Sequence, residues 1–247
     1  MSGSPSKVAI VVGASGGIGG AVVNEKSARD DILMVFAISR TAIKHPNAKV
    51  RPLTSSSDEQ DIRKAVAVIK ESVTDLASVE FDVVIATGIL HDGDLQPEKR
   101  IESLASASAL RVFETNTMLP MLWLKALTTL FSKKVPGVVA VLSARVGSIG
   151  DNGLGGWYSY RASKAALNMM LKTFAVECAR RFPLLKLISF HPGTTETGLS
   201  KPFRSNVPDQ KLFSPEFVAE CLASVMHDAQ ADSTLAFVAW DGKTIEW

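Results

Sequence analysis

Six short apolar runs punctuate the chain, and each of the first five stops at a polar or turn-forming residue. They cover residues 7–12 before Gly13, 32–38 before Ser39-Arg40, 81–86 before Thr87-Gly88, 137–142 before Ser143, 185–190 before His191-Pro192-Gly193, and 235–239. Runs this short and this uniformly apolar suit strands of a parallel sheet buried on both faces. Between them lie segments of helical length at 17–28, 58–77, 106–133, 158–182 and 215–227. Strand and helix alternate throughout, which predicts an α/β fold: a single-domain, Rossmann-type, doubly wound parallel sheet with helices on both faces, spanning 1–247. The least regular stretch, 194–213, is interrupted by prolines and mixed in polarity, and is expected to be a loop over a substrate site.

Composition narrows the function classes. A chain of 247 residues with 46% hydrophobic residues can bury one large core. The net charge of +2 is spread along the chain, unlike the basic stripe of a nucleic-acid binder. Cys178 and Cys221 are isolated, and His45, His91, His191 and His227 are far apart in sequence, so neither a disulfide framework nor a metal site is expected. No apolar run is long enough to span a membrane, and the residues before Lys7 do not form a secretory signal. A cytoplasmic, metal-free protein is the expectation.

The first strand runs into Gly13-Ala14-Ser15-Gly16-Gly17-Ile18-Gly19-Gly20 and then into a helical pattern. At a first strand-to-helix turn, a pyrophosphate can meet backbone N–H groups and a helix N-terminus, and glycines let the backbone approach it closely. Ser39-Arg40 follows the second strand, where an adenosine ribose would lie. A carboxylate there suits a free 2′-hydroxyl, whereas a guanidinium suits a 2′-phosphate, so NADP(H) is favoured over NAD(H).

The segment Gly155-Gly156-Trp157-Tyr158-Ser159-Tyr160-Arg161-Ala162-Ser163-Lys164 contains both tyrosines of the chain. On a helix, Tyr160 and Lys164 share a face one turn apart, while Tyr158 has Ala162 at that offset. An ammonium beside a phenol is expected to lower the phenol pKa and make Tyr160 a proton donor or acceptor near neutral pH.

A GxxxGxG turn after the first strand together with YxxxK on a late helix resembles the short-chain dehydrogenase/reductase family, over nearly the whole chain. The resemblance implies a hydride transfer between a nicotinamide cofactor and a small carbonyl or alcohol substrate. It implies catalytic roles for Tyr160 and Lys164, with Asn116 holding a relay water. Gly13, Ser15, Gly17, Ile18 and Gly19 would hold the cofactor, with Ser39, Arg40 and Ser55 towards the adenosine and Thr87 and Gly88 after the third strand. Tyr160, Lys164, Pro192, Gly193, Thr195 and Thr197 would lie towards the nicotinamide. It also implies a homodimer or homotetramer, through the helices at 106–133 and 158–182. A narrower likeness, carried by residues 143–149, 155–161, 191–194 and the closing Trp240-Asp241-Gly242 to Trp247, is to the C-factor (cell–cell signalling) branch, with the sniffer carbonyl reductase more distant.

The chain departs from the family pattern at three places. Ser55 stands where an acid commonly touches adenine, and Val12 stands where many members have threonine. Ala144 occupies the usual position of the substrate-polarising serine. Ser143, Ser148 or a backbone N–H would have to supply that hydrogen bond. Ser143 is preferred because it ends a strand, where ligands of open α/β sheets collect. The expected function is therefore an NADP(H)-dependent carbonyl reductase. The competing expectation is an NADP(H)-binding signalling or sensor protein with little turnover.

Overall fold

A computed structural model describes residues 7–205 and 207–247. Strand β1 (Lys7–Val12) leads into helix α1 (Gly17–Ala28) and strand β2 (Ile32–Ser39). Strand β3 (Val50–Thr54), helix α2 (Glu59–Ser72) and strand β4 (Glu80–Ile85) follow. Helix α3 (Ser106–Phe113) passes through a widened turn, Glu114–Met118, into helix α4 (Leu119–Leu127). The second half runs through β5 (Gly137–Leu142), α5 (Tyr158–Arg181) and β6 (Leu185–His191). It ends with the two-residue strands β7 (Thr194–Thr195) and β8 (Leu212–Phe213), then α6 (Pro215–His227) and β9 (Leu235–Ala239).

Seven strands form one parallel sheet in the order β3-β2-β1-β4-β5-β6-β9. The order reverses between β1 and β4, which opens a crevice at the strands' C-terminal ends. The central strands are almost wholly buried because each face carries its own core. On one face Ile10, Phe36, Val83 and Val139 pack with α2, α4 and α5 residues such as Ile62, Leu124 and Leu171. On the other, Val11, Ala37, Val84 and Phe190 pack with Val22 of α1 and Leu222 of α6. Buried Lys26 of α1 pairs with Asp82 of β4 at 2.7 Å, so neither charge is left without a partner.

The strand β3, Val-Arg-Pro-Leu-Thr, has no expectation in the sequence because it lies at the sheet edge. There Pro52 is tolerated, and only Val50 of its five residues is buried. The single helix expected over 106–133 is broken by the π-type turn at Glu114–Met118, which no apolar periodicity announces. The described residues of 194–205 and 207–213 hold local structure. β7 pairs with β8, and Arg204 donates to Ser200 Oγ at 3.0 Å and pairs with Glu196 at 3.1 Å.

Candidate active site

A cleft of about 450 Å³ lies over the C-terminal ends of β1, β2 and β4. Gly13, Ser15, Ser39, Arg40, Ser55, Thr87 and Gly88 line it. The turn after β1 is held by backbone packing. Gly13 has φ +88°, and a Cβ there would stand 2.7 Å from the Ala86 carbonyl oxygen. A Cβ on Gly19 would collide with the Gly13 carbonyl oxygen. These two positions therefore require glycine for the turn to exist at all. Gly17 faces Thr197, with the position of its missing Cβ 2.7 Å from the threonine methyl. Ile18 packs into the core beneath.

At the end of β2, Ser39 is buried and its hydroxyl donates to the Thr41 carbonyl, whereas Arg40 is exposed. Arg40 makes no ion pair among the described residues. Ser55 N–H donates to Ser39 O at 3.0 Å, which draws the ends of β2 and β3 together. Thr87 Oγ1 is buried and has no hydrogen-bond partner among the described residues. An exposed guanidinium, an orphaned hydroxyl and a tight glycine turn along one cleft fit a dinucleotide. Ser56, Ser57, His91 and Arg111 also line the cleft. They carry no motif, and only the fold brings them there.

Two of the catalytic candidates, Asn116 and Lys164, meet beside Gly88. A Cβ there would stand 3.5 Å from Asn116 Oδ1 and 3.8 Å from Lys164 Nζ. Asn116 sits in the π turn, fully buried. Its Oδ1 accepts from Ile89 N–H at 2.7 Å, and its Nδ2 donates to Ile89 O at 2.9 Å and Ser163 Oγ at 3.1 Å. Lys164 Nζ donates to Leu142 O at 2.8 Å. Burial pushes the Tyr160 phenol up to about 12 and the Lys164 ammonium down to about 8. This reverses the expected sign for Tyr160. Removing the phenolate from water is what raises it.

Ser143 differs from its expected placement. Its hydroxyl donates to Asn168 Oδ1 at 2.8 Å, and Ser189 donates to the same oxygen at 2.7 Å. Both serines are buried, and Asn168 engages the hydroxyl proton of each. Ala144 packs with Tyr160 and Leu90 instead. Ser148 is buried too, its Oγ accepting from Asp151 N–H at 3.0 Å. The hydroxyl expected beside the tyrosine is thus replaced by a methyl group.

On the other side of Tyr160 is an aromatic wall. Trp157 meets the Tyr160 ring edge-on at 6.0 Å and Phe203 at 5.2 Å, and His91 meets Phe203 at 5.7 Å. Leu154 and Met118 are exposed. Phe213 stacks with Trp240 and Phe217, against Gly193. Pro192 and Gly193 follow β6, and buried Thr195 reaches back towards their carbonyls.

A family model described as short chain dehydrogenase matches residues 7–208. Over 239 residues the chain is 26% identical to 1-hydroxy-2-glutathionyl-2-methyl-3-butene dehydrogenase of Rhodococcus sp. (strain AD45), covering 96% of this chain and 98% of that one. Over 158 residues it is 30% identical to C-signal of Myxococcus xanthus, covering 64% of this chain and 83% of that one. The fold matches NADPH-bound carbonyl reductase from chicken fatty liver with a TM-score of 0.80 at 21% identity, covering 99% and 100% of the two chains. It matches carbonyl reductase Sniffer of D. melanogaster with a TM-score of 0.79 at 21% identity, covering 98% and 99%.

Proposed function

Since the chain belongs to the short-chain dehydrogenase family and is an oxidoreductase of that kind, we propose that it is an NADP(H)-dependent carbonyl reductase with Tyr160 as its proton donor. The observation that carries this reading is the approach of buried Asn116 and Lys164 to Gly88, which lines the glycine-bounded cleft, with buried Tyr160 one helical turn before Lys164. Arg40 supports the 2′-phosphate form, because its exposed guanidinium lines the cleft and makes no ion pair among the described residues. Gly13, Ser15, Gly17, Ile18 and Gly19 would hold the pyrophosphate. Ser39 and Ser55 would border the adenosine half, and Thr87 and Gly88 would contact the cofactor between it and the catalytic side chains. Pro192, Gly193, Thr195 and Thr197 would border the other end. When bound, the cofactor supplies hydride.

The residues' part follows from their surroundings. Burial keeps Tyr160 protonated, so it holds the proton that a developing alkoxide requires. Lys164, lowered to about 8, can return a proton from solvent at neutral pH. Asn116 keeps Ile89 and Ser163 in place around that lysine, and the second lone pair of Oδ1 is free to accept a hydrogen from a relay water. Trp157, Phe203 and Leu90 favour an apolar carbonyl compound of aromatic character. Thr197, against Gly17, and Phe203, against Trp157, would border the site from the segment beyond β6. Self-association through α3–α5 belongs to the same reading. Leu110, Met118, Met169 and Val176 leave apolar surface exposed on those helices and the turn between them.

A second reading is a nucleotide-binding signalling protein with little turnover, and Ala144 favours it. Removal of one polarising donor typically costs about a hundredfold or more in rate. One experiment separates the two: oxidation of NADPH and NADH by the purified protein with a panel of ketones, aldehydes and quinones, run beside Tyr160→Phe. We expect turnover with NADPH that falls by about a thousandfold in the variant. Undiminished turnover in Tyr160→Phe would sink the assignment. NADPH binding without Tyr160-dependent turnover would favour the second reading.

A further inference from the structure

The start of α5 is made in an unusual way, and Tyr160 is its third residue. Gly155, Gly156 and Trp157 all have positive φ, at +65°, +66° and +52°. For a bulky residue such as Trp157 the left-handed region is unfavourable, and surrounding structure must impose it. Trp157 occupies the N-cap position, yet its side chain cannot accept a hydrogen bond and does not cap the helix. The free N–H groups of the first turn need a partner from elsewhere.

That partner is Glu98, far away in sequence and itself buried. Its carboxylate accepts from Ser159 N–H at 3.1 Å and from the Ser159 hydroxyl. Its backbone carbonyl accepts from Trp157 N–H. One residue therefore fixes both the left-handed Trp157 and the first turn of the helix carrying Tyr160. A carboxylate at a helix N-terminus is also stabilised by the helix dipole. The same contact aims the Trp157 ring, which meets Tyr160 and Phe203 edge-on.

We infer that Glu98 is a positioning residue: a cap supplied in trans that sets the orientation of Tyr160 and of the Trp157 wall. The catalytic part rests on Tyr160 being the proton donor. The aim of the side chains does not. The test compares Glu98→Gln, which keeps an acceptor for Ser159 N–H, with Glu98→Ala, which removes it. The chain has only two tyrosines, so ¹³C-tyrosine labelling of the NADPH-loaded protein gives one line each for Tyr158 and Tyr160.

In Glu98→Ala the Tyr160 line is expected to shift and broaden. With phenanthrenequinone as substrate, kcat should fall by roughly tenfold to a hundredfold, the scale of a misplacement of about 1 Å. NADPH affinity should stay within about twofold. Glu98→Gln should restore both the line and the rate. An unchanged Tyr160 line in Glu98→Ala overturns the inference. So does a changed line with unchanged kcat, a parallel loss of NADPH affinity, or a Glu98→Gln variant as impaired as Glu98→Ala. If the wild-type protein shows no Tyr160-dependent turnover, the proposed function fails, and the tyrosine lines alone decide whether Glu98 aims the residue.

Discussion

The two ends of the cleft are built from different material. At the nucleotide end the constraints are in the backbone. Gly13 and Gly19 are needed because a single added carbon would meet a carbonyl. At the tyrosine end the constraints are in side chains from distant segments: Asn116 on a π turn, Ala144 after β5, Trp157 and Tyr160 at the start of α5, Phe203 beyond β6, and Glu98 capping α5. A backbone-built site leaves a local spelling. A side-chain-built site is assembled by the fold, and each of its members looks ordinary where it stands in sequence.

The contrast can be broken most severely at the backbone end. Gly19→Ala forces two backbone segments apart and should destabilise the protein by about 3 kcal/mol or more, read as a fall in Cm by denaturant titration. A variant with wild-type stability would show that the turn has room the geometry denies. Arg40→Ala should then weaken NADPH binding by roughly tenfold to a hundredfold, the value of one charge-assisted contact, while leaving NADH affinity unchanged. Equal loss of both, measured by fluorescence titration, would remove Arg40 from the 2′-phosphate.

The side-chain end should tolerate a gain. Ala144→Ser places a hydroxyl beside Tyr160, and we expect kcat to rise by about tenfold, short of the larger factor that an evolved donor supplies. A fall in kcat would mean that the methyl group is itself required, by substrate shape or by a loop that the serine disturbs. Smallest near neutrality is the pH effect. Lys164 loses its charge as pH rises through about 8, so carbonyl reduction should be flat below that value and decline above it. A profile that stays flat to pH 10 would uncouple Lys164 from turnover.

Legibility in the sequence follows the same division. The strands at 7–12, 137–142 and 235–239 agree with their apolar runs to the residue, because strands buried on both faces cannot disguise themselves. β3 escaped because an edge strand needs little apolar surface, and Val50–Thr54 offers little. The Tyr160–Lys164 pair was visible from spacing alone, but its electrostatics were not. Depth of burial, which no spacing encodes, raises the phenol pKa. Ser143 looked eligible because it ends a strand. What spacing could not reveal is that Asn168, one turn beyond Lys164, takes its hydroxyl. Glu98 had no signal at all, since a carboxylate capping a helix start 61 residues away is a purely tertiary fact.

The widened turn at Glu114–Met118 has a consequence for how this chain tolerates change. A helix carrying a surplus residue is out of phase with itself: everything after the turn is rotated by about 100° from where an unbroken helix would put it. Loss of any one residue there would improve the helix by every local measure and leave the glycine turn and the tyrosine–lysine pair untouched. It would also swing α4 off the sheet, or pull Asn116 away from Ile89. The length of this stretch is therefore as much a part of the enzyme as the letters in it.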